Sequence, residues 1–175
     1  MQLPLSGYYI NLDRSPDRAA FMEAQFARLG MAGMERHAAV DGRSVTVPPG
    51  CSLLPGELGC MLSHLQVLER APAGQFTLVL EDDAELSPQL PVLLANAVRA
   101  PALGRFDIVF LECQPHMTLP HLAALWDAAA PAFRVDAAGR RRVEGVELLD
   151  ARLIFQWGTT AYLVTPAGRD RLPGG

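Results

Sequence analysis

Three consecutive carboxylates, Glu81, Asp82 and Asp83, follow the apolar run Phe76 to Leu80 in the stretch FTLVLEDDAEL. Carboxylates repel one another and resist burial, so a chain that places three at the end of a core strand needs something to neutralise them. Side chains alternate along a strand, which predicts that Glu81 and Asp83 face the same way, with Cα atoms about 6.6 Å apart. Two carboxylates at that spacing can converge on a hard divalent cation, Mg2+ or Mn2+, which in turn bridges to an anion such as a diphosphate. Asp82, facing the other way, is free to receive a hydroxyl or a backbone amide. The plainer alternative is a trio that caps the next turn and meets only water.

Other polar residues fall at comparable places. Asn11 ends the run Tyr8-Tyr9-Ile10, and Asp41 follows the β-like RHAAV, Arg36 to Val40. An acid after a second strand is where nucleotide-binding α/β folds hold ribose hydroxyls, although Asp41-Gly42 is also an ordinary turn. Arg14 and Arg18, near a helix start, can help to hold an anion, or can be solvated. No GxGxxG or GxxxxGK[ST] loop is present, which argues against a dinucleotide enzyme or a P-loop NTPase. Glu57, Cys60 and His64 lie at steps of three and four, on one helical face. As zinc ligands they form an incomplete set unless Cys51 joins them, and the favoured reading is a first-turn Glu, a packed Cys and a His bonded locally. Cys60 as a nucleophile lacks an evident separate base, and His116 and His121 show no partner.

The elements that must position these groups can be read from punctuation. Ser15, Pro16 and Asp17 signal a helix start, Met22, Phe26 and Leu29 its buried face, and Gly30 its end. A second helix opens at Pro55 with a leucine stripe at 58, 62 and 65, and a third is expected from about Pro88 to Arg99. Strands are expected at Thr77 to Leu80 and Phe106 to Glu112, and around Gly158 in RLIFQWGTTAYLVT, before a helix in PAGRDRL. Residues from about Pro115 to Asp150 are ambiguous between helix and hairpin. Strands alternating with helices indicate an α/β layer fold with a largely parallel sheet, which binds ligands beyond the carboxyl ends of its strands. Asn11, Asp41 and Glu81 to Asp83 would then meet at one edge.

Composition narrows the function classes. With 175 residues, half of them apolar, the chain suits one domain with a genuine core. A net charge of −4 excludes no ligand but gives no basic face for nucleic acid, and weighs against a nuclease-like use of the acidic cluster. The cluster Arg140-Arg141-Arg142 reads as a solvated turn, with anionic lipid or phosphate as the minority alternative. Three widely spaced cysteines, 51, 60 and 113, fit a reducing compartment. With no signal peptide or membrane span apparent, the expected location is cytoplasmic, with peripheral contact at the inner face of the membrane left open. Oligomeric state is not indicated.

Taken together, YYINLDRSPDR, AAVDG, LPGELGCMLSHLQVLE, LVLEDDAEL and GTTAYLVTPAGRDRL resemble, in order, glycosyltransferase family 25, which includes lipopolysaccharide and collagen galactosyltransferases. The resemblance covers the chain except Pro115 to Asp150. It implies a GT-A-like, Rossmann-type fold over residues 1–175 as a single domain, either a short form or one truncated at its C-terminus, since family members usually continue beyond this point. It implies a UDP-sugar donor, most often UDP-galactose, and transfer with inversion to a glycan or lipid-linked hydroxyl. Glu81 and Asp83 would hold the metal, and Asn11, Leu12, Arg14, Arg18, Asp41, Glu57, Ser63, His64 and Asp82 the nucleotide side; Gly59 and Cys60 complete the element GExGCxxSH. Displacement at a sugar carbon needs a base opposite the leaving group. Glu112, at the end of a predicted strand, is the first candidate and Asp150 the second. The alternative function is a catalytically silent nucleotide-sugar-binding or interaction module.

Overall fold

In the computed structural model, residues 5–112, 119–120, 123, 127, 133–139, 141–143 and 158–171 are described. Strand β1 (Leu5–Asn11) leads into helix α1 (Pro16–Leu29), then strand β2 (Met34–Ala38), helix α2 (Pro55–Arg70) and strand β3 (Phe76–Glu81). Helix α3 (Leu90–Ala97), strand β4 (Ile108–Phe110), a small hairpin of β5 (Phe133–Val135) and β6 (Arg141–Val143), strand β7 (Ala161–Val164) and helix α4 (Pro166–Arg171) follow. The main sheet has the order β2-β1-β3-β7-β4. β1 pairs in parallel with both β2 and β3, whereas β7 runs antiparallel to β3 and to β4. The sheet is therefore an α/β one in which four strands share a direction and β7 alone opposes them.

The local signals act as their chemistry requires. Pro16 occupies the first turn of α1, where a missing N–H costs nothing, and Gly30 closes it in the left-handed region at φ 66°. Ser15 makes no side-chain cap; its carbonyl instead accepts from the Asn11 amide at 3.0 Å. In α2 the carboxylate of Glu57 takes the Leu54 N–H at 2.7 Å, satisfying one of the donors that a helix start leaves open. The expected turn at Arg140 to Arg142 is displaced: the turn falls on 137–139, and Arg141 and Arg142 belong to β6, with Arg142 opposite Arg134. Asp136 supplies the turn by accepting the Ala138 N–H, and Gly139 its positive φ, so the bend precedes the arginines.

Strand alternation divides the core in two. Tyr9, Leu78, Leu80 and Leu163 face one side with Met22 and Phe26 of α1 and Leu90 and Leu94 of α3. Tyr8, Ile10, Val79, Tyr162 and Val164 face the other, against Val67 and Leu68 of α2. Helices on both faces explain why the central strands read as continuous apolar runs. α2 lies close to the loop after β2 because two glycines permit it. A Cβ on Gly59 would stand 2.7 Å from the Val40 carbonyl oxygen, and one on Gly42 would stand 2.5 Å from that of Pro55. Both obstacles are backbone. Gly59→Ala is expected to destabilise the fold by about 1–3 kcal/mol, read as a lower urea midpoint, whereas Gly56→Ala, which meets nothing within 4 Å, leaves the midpoint nearly unchanged.

Candidate active site at the carboxyl edge of the sheet

The chain passes from β1 to β2 on one side of β1, then returns across it to β3. The carboxyl ends of β1 and β3 thus flank the point where strand order reverses, the usual position for a ligand crevice. A cleft of about 560 Å³ opens there, walled by Leu12, Arg14, Asp41, Ser63, His64, Glu81 and Asp82, with Arg43, Val45 and Cys60 also on its surface.

The acidic trio does not follow strand alternation. β3 ends at Glu81, and Asp82 and Asp83 lie in the turn beyond it. Asp82 and Asp83 consequently share Arg18, whose guanidinium stands 2.8 Å from Asp82 and 3.7 Å from Asp83, and Glu81 is turned elsewhere. Asp82 is 7% exposed and accepts the Asn11 amide at 2.7 Å as well. A buried carboxylate is tolerable on those terms, because two donors, one of them cationic, replace water. Asn11 is itself 1% exposed, with its Oδ1 accepting from Arg36 Nε at 2.8 Å. Arg36 also bonds Asp13 at 2.7 Å. Neither Asn11 nor Arg18 lines the cleft; both act through Asp82. The exposed Asp83 sits outside the cleft wall.

Glu81 belongs to a second network. Its Oε1 accepts from Thr159 Oγ1 at 2.5 Å and stands 3.2 Å from His64 Nε2, while His64 Nδ1 is 2.8 Å from the Tyr162 hydroxyl. Burial lowers the pKa of His64, but hydrogen bonds to Cys60 and Glu81 outweigh it and raise the value to about 9. The His64 hydrogen bond holds the Glu81 carboxyl below its ordinary range, burial opposes this, and Thr159 assists it. Burial, with the charges of Glu81 and Cys60, pushes the Tyr162 phenol far up, so it remains protonated.

The other expected residues are distributed as follows. Asp41 caps the short turn Gly42–Ser44 by accepting the Arg43 N–H at 3.0 Å, and pairs with Arg14 at 3.4 Å across the mouth of the cleft. Ser63 lines the cleft, but its hydroxyl accepts the Val40 N–H and donates to the Gly59 carbonyl, pinning the loop after β2 to α2. Glu57 caps α2 and does not reach the cleft. Cys60, expected to be packed, is exposed because its helix face turns toward the open crevice. Glu112 lines a separate cavity of about 190 Å³ with Thr160 and Ala161, beside Gly158, where any side chain would run into its Oε1. That Oε1 is buried and has no hydrogen-bond partner among the described residues. Asp150, His116, His121 and Cys113 lie outside the described residues. Sequence reasoning did not single out Arg36, Thr159 or Tyr162. Arg36 opens the run RHAAV, and Thr159 and Tyr162 lie within GTTAYLVTPAGRDRL, but no local pattern marks them, and only the pairing of β7 with β3 brings Tyr162 to His64.

An open α/β sheet with a crevice at the carboxyl edge, where strand order reverses, has its cleft where sheets of this class bind ligands. Residues 48–172 match the family described as glycosyltransferase family 25 (LPS biosynthesis protein). The chain belongs to that family. It is 32% identical over 188 aligned residues to a glycosyltransferase 25 family member of Anopheles gambiae, covering 94% of this chain and 28% of that protein. Against family members of Aedes aegypti and Drosophila pseudoobscura pseudoobscura, identity is 32% over 123 and 31% over 126 residues, covering 59% of this chain and 20% of each relative. The chain thus spans less than a third of the length of these relatives.

The two pKa shifts carry a sign. A raised His64 value contributes stability fully below about 6.5 that is lost as pH climbs through about 9. The lowered Glu81 value contributes above the ordinary carboxyl range, and that part is lost on acidification. In metal-free buffer the urea midpoint of wild type should therefore exceed that of Glu81→Gln most between about pH 5 and 6.5, and the gap should narrow by about pH 9. A gap that widens with pH would contradict the ion pair.

Proposed function

We propose that this chain transfers a sugar, galactose from UDP-galactose, to a glycan or lipid-linked hydroxyl with inversion, as part of lipopolysaccharide or related surface-glycan synthesis. The observation that carries this reading is the cleft at the strand-order reversal with Glu81 and Asp82 in its wall, on a chain of this family. Its volume of about 560 Å³ suits a nucleotide-sized ligand. The Arg14–Asp41 pair at the mouth offers a cation for phosphate and an acid for ribose hydroxyls.

A hard divalent cation fits the oxygen donors here: Glu81 lies in the cleft wall and Asp83 is exposed on the turn just outside it, so one ion held by both would draw Glu81 away from His64. When bound, Mn2+ or Mg2+ would neutralise charge developing on the diphosphate leaving group. Asp82, locked by Asn11 and Arg18, fixes the turn that carries Asp83. His64 and Thr159 fix the direction of Glu81. For the acceptor side, Glu112 is the proposed base: its buried Oε1, without a hydrogen-bond partner among the described residues, keeps lone pairs for a substrate hydroxyl that enters by the smaller cavity it lines. Inversion requires that hydroxyl to attack from the face opposite the diphosphate. The proposed location is cytoplasmic, with the membrane-bound acceptor met at the inner surface; no helix among the described residues is long and apolar enough to cross a membrane.

UDP-galactose is expected to raise the melting temperature only with Mn2+ or Mg2+ present, and Asp83→Ala, a change at an exposed position, to abolish that rise. Release of galactose from the donor, absent in Glu112→Gln at unchanged donor binding, would support the assigned base. No shift with any UDP-sugar would overturn the reading. Donor binding with neither hydrolysis nor transfer would replace it with a silent sugar-nucleotide-binding module.

A further inference from the structure

Cys60 and His64 stand one helical turn apart on α2, and β3 delivers Glu81 to the same point. A thiol sulfur, an imidazole nitrogen and a carboxylate oxygen here all lie within 4.8 Å of one another. We propose that Cys60, His64 and Glu81 form a binding site for a borderline-soft divalent cation, with zinc the reference ion. The ion is distinct in chemistry from the hard cation assigned to the diphosphate.

The donor set sets the class of ion. Thiolate and imidazole ligands favour Zn2+ or Co2+ over Mg2+ or Mn2+, which prefer oxygen. Bond lengths of about 2.0 to 2.3 Å at a tetrahedral centre place ligand atoms roughly 3.3 to 3.7 Å apart. His64 Nε2 and Glu81 Oε1 already stand 3.2 Å apart, so a cation entering between them needs little movement of either side chain. It would take the position of the Nε2 proton, and binding would release that proton and the thiol proton to solvent.

The surroundings match what metal-bound histidines require. His64 Nδ1 stands 2.8 Å from the hydroxyl of the protonated Tyr162, which orients the ring and leaves Nε2 for the ion. Thr159 donates to the ligating carboxylate at 2.5 Å. Cys60 is exposed, and all three ligands line the cleft, so the ion has an entry path and an open fourth position. The Sγ position is adaptable, since an exposed side chain can rotate toward the other two.

The inference does not depend on the proposed transferase activity, but it bears on it. Both cation positions draw on Glu81, and one carboxylate drawn toward His64 is withdrawn from the rim. Zinc at Cys60, His64 and Glu81 would therefore antagonise donor binding that depends on Mn2+.

The test is a Co2+ titration of the full chain without nucleotide, followed by absorbance. One equivalent should bind and produce a thiolate-to-cobalt charge-transfer band in the near ultraviolet, with Zn2+ bleaching it by displacement. Cys60→Ser should remove the band, Cys51→Ser should keep it, and Tyr162→Phe should weaken affinity roughly tenfold. Cys60 is exposed, so Cys60→Ser should still fold with a single cooperative urea transition, which separates loss of a ligand from loss of the fold. Absence of the band, its survival in Cys60→Ser, or its loss in Cys51→Ser would each overturn the proposal. These readouts contain no sugar nucleotide, so failure of donor binding leaves them standing.

Discussion

The hydrogen bond between Asn11 and Asp82, 2.7 Å long and sealed from solvent, is the joint on which this site is built. It ties the end of one central strand to the turn after its neighbour, and it does so where two strand ends would otherwise diverge. Burying a carboxylate there demands full compensation. The amide supplies one donor and Arg18 a charged one, while Arg36 holds the far side of the same amide. A side chain able both to donate and to accept is needed at position 11. Aspartate would place two anions in contact, and leucine would strand Asp82 without its inner partner.

From that joint the acidic run separates into two functions. Asp82 is structural and inward. Asp83 rides outward on the turn, and Glu81 is drawn sideways toward α2 and the segment before β7. Repulsion among three adjacent acids is relieved less by a shared ion than by distribution: Arg18 takes two of them and His64 the third. The crevice is then bounded by a basic–acidic pair at its mouth and by a polarised imidazole at its floor. Its wall is firm where Gly42 and Gly59 bring backbone against backbone.

Much of this was legible in the sequence. The layer fold and the meeting of Asn11, Asp41 and Glu81 at one edge followed from apolar runs punctuated by Pro, Gly and polar residues, because those signals are local. The division of the trio was not legible from alternation, since the period of two stops where β3 stops, and no residue type announces that Asp82 is already in a turn. Strand direction was hidden as well. Nothing in AYLV says that β7 opposes its neighbours, yet that reversal brings Tyr162 to His64 and Thr159 to Glu81. Ser63 and Glu57 were recognised as part of one element, but their hydrogen-bonding groups serve the backbone around the crevice.

The reversed β7 also separates orienting the site from building the sheet. Because it enters the sheet from the carboxyl edge, the peptide immediately upstream brings Thr159 to Glu81, in the crevice wall, before any of the strand is laid down. β1, β2 and β3 meanwhile stay registered by their own ladders. The segment after Gly158 can therefore orient Glu81 through Thr159 without altering how β1, β2 and β3 pair.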